Sequence, residues 1–408
     1  MRRGQLRDCF AGVGVKRLTA VDAEPGASNQ HEVGTTRDMR RQFLGANQHQ
    51  RFSAIYIWLG EDQDGFTVEG TLTHYDAREE KSHRSPEWRL YYSSNPVTKL
   101  MRENDTLFLA MTIDGLLYFI VASAGSTSER QLSWLFDLHP KGQSFVSREI
   151  ASDEPELDFA ARFILDEIGI EFEKPDEDRL DSIIEQFGDE FPTTVEFSNL
   201  ARLTLPEVRA EDNPDLALVA WLSHEEALFG RLERKIVASR IAEGFQVEGG
   251  SADVDGFLRF SLSVQNRRKS RMGRSLEHHL EAVFRAHEVA FVRGVVTENN
   301  QRPDFLFPSE EAYRNAPEVG HTCLTMLGAK SSCKDRWRQV LAEAMKIPRK
   351  HLLTLEPGIS EPQTNQMQHS NLQLVVPQPI QETYTEVQRA WLCNLGDFIR
   401  DVESRACK

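Results

Sequence analysis

Near the end of the chain an apolar run stops at Lys330, and the charged segment Lys334-Asp335-Arg336-Trp337-Arg338 follows at once. Pro303-Asp304 stands upstream and Glu343 downstream. Two carboxylates and a lysine set around a strand, backed by arginines, are parts for cutting a phosphodiester with a divalent ion. The carboxylates hold the metal, which polarises the phosphate and acidifies the attacking water. The lysine offsets charge that develops on the phosphoryl oxygens. Alternation over residues 322–330 puts Leu324, Met326, Gly328 and Lys330 on one face of a strand.

The widespread nuclease pattern PD…(D/E)-x-K places an acid two residues before the lysine, and here that position is Gly328. Glu343 can supply the missing carboxylate. On a helix predicted over 335–345, Trp337, Val340, Leu341 and Ala344 form an apolar stripe, with Arg336 and Glu343 on an adjacent face. Ser275 is read as the N-cap of a second helix reaching about His287, buried through Leu276, Leu280 and Val283. Glu277 falls in its first turn and Glu281 one turn on; either completes the metal shell. Taken singly, Pro303-Asp304 reads as a turn, Lys330 and Glu343 as solvated charges, and Glu277 as a dipole-favoured helix start. The ordered set carries the inference.

Two domains must position these groups. A chain of 408 residues exceeds one ordinary core, and 40% hydrophobic with 27% charged residues describes a water-soluble protein. No apolar stretch approaches a membrane span, and the N-terminus lacks a signal peptide's apolar region. Five cysteines without C-x-x-C spacing offer no zinc site and point to reduced thiols in a cytosol. The net charge of -15 disfavours nucleic-acid partners globally, but Arg267-Arg268-Lys269-Ser270-Arg271 and 330–338 are locally basic, and contacts with phosphates depend on local cations. Up to about residue 170 the chain reads as short strands, among them 52–58, 88–92, 107–111 and 116–121. The last follows the hairpin signal Asp114-Gly115, in the manner of a small barrel or sandwich. Glu173-Lys174-Pro175-Asp176-Glu177-Asp178 reads as a linker. Beyond it the grammar is α/β: a helix over 216–242, strands over 305–307, 322–330, 351–355 and 372–376, and covering helices over 335–345 and 384–402.

Three runs together resemble the EcoRII type II restriction endonucleases: residues 266–277, then Arg302-Pro303-Asp304-Phe305-Leu306-Phe307-Pro308-Ser309, then 330–341, with continuing similarity through 351–355 and 374–377. The resemblance implies a multidomain protein. Residues 1–172 would be an N-terminal, mainly-β effector DNA-binding pseudobarrel and 173–189 a linker. Residues 190–408 would be a C-terminal α/β restriction-endonuclease-like catalytic domain with a mixed central sheet. Asp304, Lys330, Glu343 and Glu277 would be catalytic in a displaced-carboxylate site, with Asp304 and Glu343 on Mg2+. Lys334, Asp335 and Arg336 would read G·C pairs, since Arg or Lys donates to guanine and an acid accepts from cytosine. Arg267, Arg268, Lys269 and Arg338 would clamp the backbone.

The N-terminal match rests on Lys16-Arg17-Leu18-Thr19-Ala20 and His31-Glu32-Val33-Gly34. It implies effector-DNA contacts by His31, Arg78, Glu80, Lys81 and Arg84. Thr36 stands where the family has tyrosine and Asp76 where it has lysine. The implied activity is Mg2+-dependent cleavage of both strands of a CCWGG-like duplex by a cytoplasmic bacterial homodimer. Effector DNA would activate it within a restriction-modification system, with no membrane partner and no nucleotide cofactor. The alternatives are a catalytically degenerate DNA-binding regulator, a single-site endonuclease for a CCNGG or CCGG-type sequence, and a hydrolase of small phosphoesters.

Overall fold

The computed structural model describes residues 4–23, 31–45, 49–60, 65–79, 83–151, 156–170, 177–188, 190–246, 251–316, 323–333 and 336–405. The chain divides into two compact units, one of residues 1–173 with 357–360, the other of 174–356 with 361–408.

The first unit is built on one eight-stranded sheet, which is compatible with the expected barrel-like arrangement and departs from a two-sheet sandwich. Its strands are β1 (Phe10–Arg17), β2 (Glu32–Gly34), β3 (His49–Leu59), β4 (Phe66–Asp76), β5 (Trp88–Tyr92), β6 (Thr106–Thr112), β7 (Leu117–Ala122) and β8 (Val146–Glu149). Their order is β2-β5-β4-β3-β7-β6-β1-β8, antiparallel except for the parallel β3/β7 pair. β6 and β7 are buried at every position because both faces are covered. Phe108, Ala110, Ile120 and Ala122 join one core with helices α1 (Thr127–Leu135) and α2 (Phe159–Glu167). Leu107, Leu109, Phe119 and Val121 alternate into the other, with Tyr56, Tyr92 and Met39. The β6/β7 turn uses Gly115 at φ 87, as the Asp-Gly signal predicts.

The second unit starts with a helical layer: α3 (Glu177–Ile184), α4 (Thr194–Leu203), α5 (Pro214–Glu243) and α6 (Val254–Ala286). Part of the expected linker is therefore helix, since Leu180 and Ile184 give α3 an apolar face that packs with Leu228, Leu232 and Ile236 of α5. Likewise, Ser275 caps nothing. It lies inside the 33-residue α6, whose N-cap is Asp253, and its hydroxyl donates to Glu225 of α5. Leu276, Leu280 and Val283 are fully buried, as their spacing predicts.

A four-stranded mixed sheet follows: β9 (Phe305–Phe307), β10 (Thr325–Lys330), β11 (Lys350–Thr354) and β12 (Leu372–Val375), in the order β12-β11-β10-β9. β9 runs antiparallel to β10, and the other pairs are parallel. Phe305 and Phe307 share a face of β9 and meet Phe284 of α6 edge-on, with centroids 5.2 Å away in each case. Phe398 of α8 (Leu395–Arg405) closes that aromatic cluster, 5.7 Å from Phe307.

The other two predicted helices are shorter than expected. After β10 comes only α7 (Trp337–Val340), because Ala344 adopts φ 45 and turns the chain. The region 384–402 is broken before α8. There Cys393 donates to Leu374 O at 3.1 Å and accepts from Val376 at 2.8 Å, so the intervening residues pair with β12. Cys9, Cys333 and Cys393 are free thiols, while Cys323 is disulfide-bonded, against the expectation of reduced cysteines throughout. No helix among the described residues is long and apolar enough to cross a membrane.

Candidate active site

The register Leu327↔Phe305 puts Asp304, one residue before β9, beside the last residues of β10. Its Oδ2 accepts from Lys330 Nζ at 2.7 Å and from the Ala329 amide at 2.7 Å. The strands that carry the two residues are thus neighbours, and the aromatic cluster behind β9 fixes the edge on which Asp304 rides.

Glu343 comes to the same place by a different route from the one its helical spacing suggested. It sits in the turn after α7, buried, with its N–H donating to Val340 O at 3.1 Å. Val340, Trp337 and Ala344 are buried as predicted, whereas Leu341 is only half-buried. Gly328 lets α7 come this close. A Cβ there would stand 2.9 Å from Val340 Cγ2, so the position where related nucleases carry an acid has no room for one while Val340 occupies it.

Electrostatics bind the set together. Burial raises the Glu343 carboxyl to about 7; the Lys330 charge opposes that rise and the Asp304 charge adds to it. Glu277 is also raised, first by burial and then by Asp304, against the pull of Arg293 and Lys330. Glu343 and Glu277 thus each feel the charges of Asp304 and Lys330, and Glu343 Oε2 is buried with no hydrogen-bond partner. An orphaned carboxylate oxygen facing a second carboxylate's field suits a cation. Among the described residues no three His, Cys, Asp or Glu side chains are already gathered as a metal-holding group.

Arg293, which the sequence reading missed, orders the remaining acids. It donates to Glu277 through Nη2 and to Glu281 through Nη1 at 2.8 Å, while Glu281 also accepts from Arg285. Glu277 is the acid that senses Asp304. The i, i+4 pair Glu277/Glu281 was itself a signal that a cation must lie nearby. Lys350 was missed too, although a lysine in an otherwise apolar strand register pointed to a buried task.

Of the DNA-reading candidates, Lys334 and Asp335 lie outside the described residues. Arg336 is exposed, with its amide donating to Cys333 O at 2.7 Å, and the Cys333 amide in turn donates to the buried carboxylate of Glu356. Arg338 lies 4.7 Å over Trp337 and reaches Gln366 at 3.2 Å. Arg267 is exposed and stacks on Phe191 at 4.2 Å, while Arg268 pairs with Glu233 at 2.6 Å. Lys269 lies on α6; its side chain is outside the described set.

In the first unit, His31 packs edge-on against Tyr92 at 5.5 Å, and Arg78 pairs with Glu87. Arg84 is exposed, and Glu80 and Lys81 fall outside the described residues. Thr36 and Asp76 have local roles. Thr36 accepts from Met39 N at 3.3 Å as a helix cap, and Asp76 Oδ1 accepts from Arg78 N at 2.9 Å and Glu87 N at 2.8 Å, closing the base of the loop.

Residues 229–399 match the family model described as the EcoRII C terminal. Over 191 residues the chain is 43% identical to the type II restriction enzyme EcoRII of Escherichia coli, covering 47% of this chain and 46% of that protein. The chain thus matches about half the length of this curated relative. Among solved structures, metal-depleted Ecl18kI in complex with uncleaved, modified DNA gives a TM-score of 0.46 at 16% identity, over 56% of this chain and 84% of that one. The complex of restriction endonuclease PspGI with substrate DNA gives 0.43 at 14%, over 53% and 93%.

Proposed function

Because residues 229–399 carry the EcoRII C-terminal domain, we propose that this chain is a site-specific DNA endonuclease. It would cleave both strands of a CCWGG-like duplex with Mg2+, as a homodimer within a restriction-modification system. The observation that carries the reading is the Asp304–Lys330 pair at 2.7 Å, with the charges of both reaching the orphaned Glu343.

Asp304 and Glu343 would hold the ion, and Glu277, steadied by Arg293, would complete its surroundings. When bound, Mg2+ would polarise the scissile phosphate and lower the pKa of a neighbouring water. Lys330, now shared between Asp304 and the phosphate, would orient that water and offset charge growing on the phosphoryl oxygens. Lys334, Asp335 and Arg336 would read G·C pairs, each good contact being worth ~1–3 kcal/mol of discrimination. Arg267, Arg268, Lys269 and Arg338 would hold the backbone and fix register. Two-fold symmetry in the DNA favours a two-fold dimer in which each subunit cuts one strand.

The first unit would be the pseudobarrel that binds effector DNA through His31, Arg78, Glu80, Lys81 and Arg84, and it would restrain cutting until it does so. A fragment starting at residue 174 keeps α3 and its core. It should cut a single-site duplex faster than the whole chain, and equal rates would remove the restraint.

The test of the main reading is digestion of a plasmid of known sequence with Mg2+, followed by sequencing of the ends. Ends clustered at one short CC…GG sequence support it. DNA binding without nicking in Mg2+ or Mn2+ would instead make the chain a regulator, and turnover of a nucleotide ester without duplex would make it a phosphoesterase.

A further inference from the structure

The carboxylate that completes the site sits on a turn, with no helix or strand to hold it. A displaced metal ligand placed this way needs its backbone held from outside. Lys350 opens β11, is buried, and sends its ammonium into the turn, where Nζ donates to Glu343 O at 2.5 Å and Ala344 O at 2.6 Å. Two carbonyls of the turn beyond α7 are thus held by one cation, and Ala344 O also accepts from the Ile347 amide at 2.9 Å.

The other side of the turn is held as well. The Ala344 amide donates to Thr297 Oγ1 at 3.3 Å and the Met345 amide to Glu298 Oε2 at 3.2 Å. Glu298 accepts from the Tyr313 hydroxyl, and Lys346 caps the carbonyls of Tyr313, Arg314 and Ala316 at 3.1, 3.1 and 2.9 Å. Ala344 keeps its left-handed backbone, φ 45, inside this clamp. Burying a lysine is costly, and burial lowers its pKa to about 8; the charges of Glu298 and Glu343 oppose that, and both of its hydrogen bonds go to the backbone of the turn that carries the site's orphaned carboxylate.

We propose that Lys350 is a positioning residue for metal binding: through the carbonyls of Glu343 and Ala344 it sets where the Glu343 carboxylate points, and Thr297 assists from the opposite side. The inference rests on Glu343 being a metal carboxylate. Buried beneath the turn, Lys350 would touch neither DNA nor metal, so its loss should show in metal affinity ahead of DNA affinity.

The test uses the full chain, with Mn2+ binding followed by titration calorimetry and duplex binding measured in EDTA. Lys350→Met keeps the bulk and removes the donors. It should weaken Mn2+ binding by at least about tenfold, comparable to the loss of an outer-shell partner of a metal ligand, with DNA affinity in EDTA unchanged. Thr297→Val, milder for folding, should weaken it about threefold to tenfold. A folded Lys350→Met protein with parental Mn2+ affinity overturns the proposal. Should that variant fail to fold, parental Mn2+ affinity in Thr297→Val overturns it instead. Glu343→Gln runs in parallel. If it too binds Mn2+ normally, the reading of Glu343 fails; if it alone loses Mn2+, that reading stands and only the role of Lys350 falls.

Discussion

A Cβ on Gly328 would stand 2.9 Å from Cγ2 and 3.2 Å from Cγ1 of Val340. The β-branched side chain of α7 occupies the space that an acid two residues before the lysine would take, and Glu343 enters from the far end of the same short helix. Gly328→Ala should therefore push α7 away and destabilise the fold by ~1–3 kcal/mol. Cleavage should drop further than stability alone explains, because Glu343 moves with the helix. Gly328→Ala with Val340→Ala should recover part of the cleavage rate at matched temperature. A double variant no better than the single one would contradict the packing argument.

Glu343 is held at a cost that Gln would remove. Its carboxyl ionises near 7 in the fold against 4.5 for a free glutamate, chiefly through burial. A raised carboxyl favours the fold below its unfolded value and loses that favour as pH rises through the folded value. Glu343→Gln should accordingly stabilise the metal-free protein by on the order of 1–3 kcal/mol at pH 8 and by little at pH 4.5. Thermal unfolding at the two pH values in EDTA checks this, and an equal effect at both would refute it.

The same carboxyl makes metal binding pH-dependent. Below about 7 Glu343 carries a proton, which the ion must displace, so apparent affinity should rise roughly tenfold per pH unit up to there and flatten above. Calorimetry in buffers of different ionisation enthalpy should show close to one proton released at pH 6 and far less at pH 8. Identical release at both values would mean that Glu343 takes no part.

A second buried network holds α4, α5 and α6 together. Glu225 accepts from Ser275, from His279 Nε2 at 2.8 Å and from Arg271 at 3.3 Å, while Arg202 donates to His279 Nδ1 at 2.9 Å. Burial alone would raise Glu225, yet the His279 hydrogen bond and the charges around it bring it down to about 2. Burial lowers His279, which stays neutral between its two partners. Glu225→Ala strands a buried guanidinium and should cost about 3–5 kcal/mol in the unfolding of the second unit. In the parent, the support from His279 should fade as pH falls below 6.5 and that from Glu225 as pH falls from 4.5 toward 2. Flat stability from pH 7 to 4 would contradict this.

Strands were the most legible part of the molecule, since the short apolar run 305–307 and the apolar and aromatic runs around Phe108 and Ile120 leave few other ways to bury those side chains. Asp304 beside Lys330 followed from two such strands being neighbours. Helix ends were harder. Ser275 reads as a cap, but α6 runs from Val254 to Ala286 straight through it and through Gly273, the latter at a cost of only ~1 kcal/mol. Glu343 was proposed on residue type, and the helix that periodicity suggested for it is replaced by a turn at Ala344. Arg293 reaches acids one helix turn apart on α6, and Lys350 reaches the carbonyls of the turn before β11; neither pairing belongs to a sequence motif.

The central claim is that Asp304, Lys330 and Glu343 work as one centre. The most direct measurement is single-turnover cleavage of a CC-W-GG duplex with Mg2+ by the parent and by Asp304→Asn, Lys330→Ala and Glu343→Gln, with duplex binding measured alongside. Each variant should lose roughly 10²–10³ or more in rate while it still binds DNA. Any one of them cutting at the parental rate would contradict the account.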